Sequence, residues 1–151
     1  MTARGSAAGR RARSLARRLA VQALYQLQIN PGPWQDAHGE LAADPEADRV
    51  DREYFRELIM AIAPNRAALD QVIMRWSEIA PHELDPVEHA ILWLGLHELQ
   101  HCPELPYRVA LDEAVQLAKQ FGATDGHKFV NAVLDRAARE LRPCEYGEPA
   151  A

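Results

Sequence analysis

Apolar residues recur at helical spacing near the start of the chain. Between residues 10 and 29 they lie on one face of a predicted helix, and polar side chains lie on the other. The apolar face consists of Ala16, Leu19, Ala20, Ala23, Leu24 and Leu27. Asn30-Pro31-Gly32-Pro33 ends this helix, because proline and glycine interrupt helical backbone. An acidic connection with a weak pattern follows over residues 34–48, and the pattern leaves open a short helix within it.

Five more helices are predicted after this connection. Apolar spacing places them at residues 50–63, 64–79, 86 to the break at 102–106, 108–121 and 125–141. The fourth helix of the chain has the strongest start, since Asp85 can cap it, Pro86 suits the first position and Glu88 completes a capping box. It is apolar almost all round, which is typical of a central buried helix. No alternating, β-branched run is present, so the predicted class is all-α.

Charge is distributed unevenly along the chain. The net charge is −5, yet residues 1–35 hold six arginines and no acidic residue, whereas the remainder holds 11 basic and 22 acidic residues. A basic segment attracts polyanions and the acidic remainder repels them, which favours a localised contact over nonspecific coating of nucleic acid. We expect a disordered basic tail over residues 1–9, a helical domain over 10–143 and a flexible tail over 144–151.

The basic segment also has features of a targeting peptide. It is rich in arginine and lacks acids, as organelle transit peptides do, but its helix runs directly into the predicted fold. Arg17 and Arg18 interrupt any apolar core, which argues against a secretory signal. The longest strongly apolar run, residues 90–96, is too short to span a bilayer. The two cysteines give no disulfide framework, so a reduced, cytoplasmic setting is expected.

Signals for catalysis and for cofactors are poor. No serine lies in a nucleophile elbow and no glycine-rich phosphate loop is present, so we predict neither enzymatic activity nor a cofactor. The strongest metal-ligand candidates are His97 and His101, one helical turn apart beside Cys102. The alternative is a pair of partly exposed histidines that suit the end of a helix dipole. Because no HExxH motif or cysteine-rich partner accompanies them, we predict no metal.

The N-terminal arginines are the best functional signal. A guanidinium group donates two hydrogen bonds to one phosphate, so arginines on a helix face suit an RNA backbone. The candidate nucleic-acid contacts in this helix are Arg10, Arg11, Arg13, Arg17, Arg18 and Gln22. On the same face, Tyr25 could stack on an unpaired base and Gln22 could hydrogen-bond a base edge. The alternative is a solvated tail that only aids solubility.

The junction of the last two predicted helices forms a second candidate surface. Backbone N–H groups at a helix N-terminus attract phosphate, His127 and Lys128 add positive potential, and Asn131 could hydrogen-bond a base. The alternative is ordinary capping, with Thr124 or Asp125 as the cap, Gly126 relieving the turn and Phe129 in the core. The residues alone leave both interpretations open.

Three sequence motifs occur in order over nearly the whole chain. The first is AVQALY at residues 20–25, after the arginine cluster, and the second is YFREL at residues 54–58. The third and most specific consists of LDPVE at 84–88, PYRVA at 106–110, EAVQLAK at 113–119 and HKFVNAVLD at 127–135. Through these motifs, residues 13–143 resemble the NusB family of bacterial transcription antitermination factors.

The resemblance implies an all-helical fold of two three-helix subdomains without catalytic activity. It implies binding to the boxA element of nascent RNA, notably ribosomal RNA leaders. The implied partners are NusE, a small-subunit ribosomal protein, and the RNA polymerase antitermination complex with other Nus factors. RNA contacts of the family match the arginines of the first helix and Asp125, His127, Lys128, Phe129 and Asn131. The NusE-facing surface matches Tyr25 and Glu88, which makes Tyr25 a candidate protein contact rather than a base stacker.

Two further hypotheses accompany the resemblance. NusB-like domains also precede the catalytic domain of some ribosomal RNA cytosine methyltransferases, but this sequence contains no βαβ pattern for a cofactor. Some family members dimerise, and a homodimer could cover the RNA-binding face.

Overall fold

The described part of the chain is built from α-helices. The computed structural model describes residues 6–147, and no β-strand occurs within that range. The helices are α1 (Ala7–Ile29), α2 (Trp34–Ala42), α3 (Arg52–Ile62), α4 (Arg66–Trp76), α5 (Pro86–His101), α6 (Tyr107–Phe121), α7 (Gly126–Leu141) and α8 (Pro143–Tyr146). Short 3₁₀ turns lie at Pro45–Arg49, Ala63–Asn65 and Pro81–Glu83. The predicted all-α class is confirmed.

The chain divides into two compact units, residues 1–64 and residues 65–151. Within the described residues, the first unit contains α1–α3 and the second contains α4–α8. The expected two helical subdomains are present, and the first has the expected three helices, whereas the second has four long helices and the short α8. The weakly patterned connection forms α2 and supplies the third helix of the first unit. The helix predicted over 64–79 belongs to the second unit.

Parts of both predicted tails are helical in the structure. The side chain of Ser6 accepts a hydrogen bond from the Gly9 N–H at 3.0 Å, so α1 begins at Ala7 rather than at residue 10. The short helix α8 occupies part of the expected flexible C-terminal tail. The hydroxyl group of Tyr146 there donates to Asp135 at 3.0 Å. The rest of the two predicted tails, residues 1–5 and 148–151, lies outside the described residues.

The core of the first unit lies where α1 packs against α3. Its fully buried side chains include Leu24 of α1 and Phe55, Leu58 and Ile59 of α3. Burial of each such side chain contributes about 1.5–3 kcal/mol to folding. A backbone hydrogen bond of 3.1 Å from the N–H of Asp51 to the carbonyl of Ala12 also joins the two segments. The N-terminal half of α1 is therefore tied to the folded unit.

The core of the second unit surrounds α5, which packs against α4, α6 and α7. Ile91, Leu92 and Leu96 have no exposed surface. The approach of α7 is close, since a Cβ at Gly95 would lie 2.7 Å from Cδ1 of Leu134. The predicted central position of this helix is confirmed.

A buried arginine closes the C-terminal end of α5. The side chain of Arg142 donates to the carbonyls of Leu99 at 2.9 Å, Cys102 at 2.8 Å and Leu105 at 2.8 Å. It also donates to the carbonyl of Glu98 at 3.2 Å and to the carboxylate of Glu145 at 2.5 Å. These bonds use all five N–H donors of the guanidinium group, and the carbonyls of Glu98 and Cys102 also accept backbone N–H groups at 3.1 and 3.0 Å. We call this arrangement the Arg142 clamp.

Candidate nucleic-acid interface

Four side chains of α1 lie along one line of the helix surface. Arg11, Arg18, Gln22 and Tyr25 are spaced so that they fall within about 60° of one another around the helix axis. Arg11 and Tyr25 are exposed, and Arg18 and Gln22 are half-buried. We call these four residues the α1 stripe. It is basic toward the N-terminus of the helix and carries an exposed aromatic ring toward the C-terminus.

The N-terminal end of α1 concentrates positive potential. No acidic residue occurs in its first turn, and the helix dipole adds a partial positive charge there. Arg10 is exposed beside the α1 stripe, and Arg13 is half-buried on the same side as Arg10. A polyanion approaching this end of the helix is therefore attracted by both the side chains and the backbone.

Arg17 does not belong to this exposed surface. Its side chain is 2% exposed, and its Cζ lies 5.4 Å from the centroid of the Tyr54 ring on α3. The predicted position of Arg17 on the exposed face is therefore wrong. The physical reason is that α1 packs closely against α3, so the buried side of α1 extends past its apolar residues. An arginine stem packs against such a surface while its guanidinium group stacks on an aromatic ring.

The second candidate surface begins at a strained residue. Asp125 has a φ of 65°, in the left-handed region that Asp tolerates better than most residues. It precedes α7 but makes no side-chain capping hydrogen bond. Its carboxylate instead lies 3.3 Å from the ammonium group of Lys128, and both side chains are largely exposed. The alternative in which the Asp125 side chain caps the helix is therefore wrong.

The remaining candidates near the start of α7 differ in exposure. Lys128 and Asn131 are exposed and lie one helical turn apart, on the same side of α7. His127 and Phe129 are half-buried. The ring of Phe129 therefore packs partly into the unit and retains an accessible edge. This start of α7, residues 125–131, presents one carboxylate, one cation, one amide and parts of two rings to solvent.

Glu88 lies beneath the start of α7. Asp85 caps α5 as predicted, because its carboxylate accepts from the N–H groups of Val87 at 2.9 Å and Glu88 at 3.2 Å. The Glu88 carboxylate instead accepts a long hydrogen bond of 3.4 Å from the N–H of Ala123. Burial raises the pKa of Glu88, the Ala123 hydrogen bond lowers it and the charge of Asp85 raises it. With 7% of Glu88 exposed, the partner contact implied for it stays a prediction.

The two histidines near the end of α5 form a ring pair. The ring centroids of His97 and His101 are 5.2 Å apart. Burial, with a smaller effect of His101, lowers the pKa of His97 to about 4. Among residues 6–147 no group of three or more His, Cys, Asp or Glu side chains is placed to hold a metal ion.

No helix in the described part of the chain is long and apolar enough to cross a membrane.

These observations define an all-α protein of two helical units with a basic first helix. Residues 14–139 match the model of the NusB family, and the chain belongs to that family.

Relatives that cover most of the chain carry the name transcription antitermination protein NusB. The relative from Marinobacter nauticus is 42% identical over 133 residues, which are 88% of this chain and 84% of the relative. The relative from Escherichia coli O139:H28 is 45% identical over 132 residues, or 87% of this chain and 95% of the relative.

Solved structures show the same fold. NusB from T. maritima superposes with a TM-score of 0.77 at 30% identity, covering 90% of this chain and 96% of that chain. The fold also matches a chain in a crystal structure of NusB and NusE in complex with double-stranded RNA. That match has a TM-score of 0.75 at 23% identity and covers 86% of this chain and 98% of that chain.

Three charged side chains have contacts that the sequence pattern does not indicate. The burial of Arg17 depends on Tyr54, which is distant in sequence. The Arg142 clamp depends on carbonyls of α5 and of the connection that follows it. The sequence singles out Glu88, because its position fits a capping box. That position does not show which loop the Glu88 carboxylate contacts.

Proposed function

We propose that this protein is a non-catalytic transcription antitermination factor of the bacterial cytoplasm. It binds boxA RNA of nascent ribosomal transcripts together with NusE, as part of the RNA polymerase antitermination complex with other Nus factors. Membership of the NusB family supports this function, as do the names of the relatives. The structural observation that carries the proposal is the α1 stripe, which joins a basic surface to an exposed aromatic ring.

The N-terminal half of the α1 stripe binds the RNA backbone. Arg11 and Arg18 lie about 10 Å apart along the helix, so they contact different phosphates. Arginine forks suit phosphate because each donates two parallel hydrogen bonds. Arg10 and Arg13 strengthen the attraction from the neighbouring side, and Gln22 reaches a sugar or a base edge.

The C-terminal half of the α1 stripe binds NusE. Tyr25 is 39% exposed and Ile29, one turn further along, is 55% exposed. Exposed aromatic and aliphatic side chains beside each other favour burial against a partner protein. Tyr25 lies about 21 Å along the helix from Arg11, which leaves room for RNA and protein on one helix.

The start of α7 provides a separate RNA contact. The ammonium group of Lys128 attracts phosphate, Asn131 hydrogen-bonds a base, and the accessible edge of Phe129 packs against a base or sugar. Asp125 and His127 also belong to this proposed contact. The carboxylate of Asp125 moderates the charge of Lys128 and favours base-edge donors over phosphate.

Binding to boxA RNA and to a scrambled RNA of equal length tests the proposal. We expect weak binding of boxA RNA by the protein alone and tighter binding with NusE, measured by fluorescence anisotropy. Equal affinity of the NusE complex for the two RNAs would refute the sequence-specific part. Tyr25→Asp should weaken NusE capture without changing helicity, and unchanged capture would remove Tyr25 from the partner surface.

Self-association is tested by a separate experiment. Sedimentation of the protein alone distinguishes a monomer from a homodimer. If a homodimer covers α1, RNA affinity falls as the protein concentration rises.

A further inference from the structure

We propose that Glu88 is a positioning residue that holds the loop before α7 in its RNA-binding conformation. This inference rests on the proposed function and concerns how the second RNA contact is formed. Glu88 projects from the first turn of α5, and the loop at residues 122–126 lies over its carboxylate.

The contact between Glu88 and this loop has two parts. The carboxylate accepts the Ala123 N–H at 3.4 Å. Gly126 is buried directly against the same carboxylate, and a Cβ at this position would collide with its oxygens. Glycine therefore permits the close approach of the backbone to Glu88. The two contacts bracket Asp125, whose left-handed backbone sets the direction in which α7 begins.

The location of the carboxylate also favours this role. It lies against the N-terminus of α7, where the N–H groups and the helix dipole stabilise a negative charge. A buried carboxylate is costly without such partners. Burial raises the pKa of Glu88 more than the Ala123 hydrogen bond lowers it, so its partners offset only part of the cost of burying the charge. Glu88 thus stabilises the start of α7 from below, and Lys128 and Asn131 remain exposed for RNA.

Removal of the carboxylate should weaken RNA binding through the loop. Glu88→Ala leaves the Ala123 N–H without its acceptor, and we expect the affinity for boxA RNA to fall about tenfold. Glu88→Gln keeps an acceptor oxygen, and its affinity should stay within about threefold of the parent protein. Glu83→Gln is the matched control, because Glu83 is exposed in the turn before α5.

Gly126→Ala provides a second test that retains the carboxylate. The added Cβ displaces the Glu88 side chain, so RNA affinity should fall in the parent protein. The same substitution should have little further effect in the Glu88→Ala background, because the two changes remove one contact. If each substitution lowered RNA affinity by its full amount in the double variant, the coupling between Glu88 and Gly126 would be contradicted.

Two measurements separate this inference from the proposed function. Amide hydrogen exchange of Ala123 and Gly126 should accelerate in Glu88→Ala and not in Glu83→Gln, with the melting temperature recorded for each variant.

If the parent protein does not bind boxA RNA, the proposed function fails. If it binds and Glu88→Ala binds equally well with unchanged exchange, the positioning role of Glu88 alone is refuted. Loss of NusE affinity with unchanged RNA affinity would likewise refute it.

Discussion

Arg17 is an arginine whose role is set by its burial. Its guanidinium group stacks on Tyr54 and only 2% of the residue is exposed. Arg17→Ala should lower the free energy of unfolding by about 1–3 kcal/mol, because it removes a desolvated cation–π contact and leaves a cavity. Urea unfolding followed by tryptophan fluorescence measures the change.

The control for Arg17 is a neighbouring arginine on the exposed surface. Arg11→Ala should change the free energy of unfolding by no more than about 0.5 kcal/mol while weakening RNA binding. If Arg17→Ala is as stable as the parent protein and loses RNA affinity, Arg17 is an RNA contact after all.

His97 makes stability depend on pH in a defined window. Burial lowers its pKa from 6.5 to about 4, so the unfolded chain binds a proton between these values and the folded protein does not. Stability contributed by the neutral ring is therefore present above about pH 6.5 and is lost as the pH falls toward 4. From the size of the shift, this loss is at most about 3 kcal/mol.

A variant without the titrating ring tests this account of His97. Between pH 7 and pH 4, His97→Phe should lose less stability than the parent protein. His82→Gln should behave like the parent, because the His82 side chain is 81% exposed. Parallel stability curves for His97→Phe and the parent protein would contradict the assignment.

At the scale of elements, local signals predicted the long helices. The Asp85 cap with Pro86 located the start of α5, and an apolar stripe located α1 within a few residues. The helix α2 gave little signal because only Ala37 of its nine residues is buried. The helix α8 gave none, since it depends on contacts of Glu145 with Tyr107 and of Tyr146 with Asp135.

The candidate site, like the helices, could be predicted from the sequence only where local signals decide the structure. Helical periodicity identified Arg11 and Arg18 as surface residues. It could not show that α3 covers Arg17, because periodicity gives the direction of a side chain and not its neighbour.

The Arg142 clamp should contribute strongly to the stability of the second unit. Arg142→Met removes five hydrogen bonds, two of them to the carbonyls of Leu99 and Leu105, so we expect a loss of about 3–5 kcal/mol. Arg142→Lys should recover little of this, because an ammonium group cannot reproduce the planar fork. Thermal unfolding followed by circular dichroism measures both variants.

A surface ion pair is the control for the clamp. Arg75→Ala breaks the exposed contact of Arg75 with Glu140, at 2.6 Å, and should cost less than about 1 kcal/mol. If Arg142→Met costs no more than Arg75→Ala, the clamp is not important for stability.

At the scale of the whole molecule, the proposed RNA binding depends on the separation of the basic N-terminal segment from the acidic remainder of the chain. The net charge of −5 opposes general binding of nucleic acid, and the basic start of α1 provides a local exception. The protein should therefore bind RNA weakly alone and gain affinity when NusE adds a second surface, since linked contacts raise the effective concentration.

The salt dependence of boxA RNA binding by the NusE complex tests the central claim most directly. It should be measured for the parent protein, for Arg11→Glu with Arg18→Glu, and for Arg49→Glu with Arg108→Glu as a control of equal charge change. Loss of two phosphate contacts should weaken binding and reduce the slope of log affinity against log salt by about 1.4 for a single strand. The control should keep the parental slope. If both double variants show the same slope and affinity, the α1 stripe is not the RNA-binding surface.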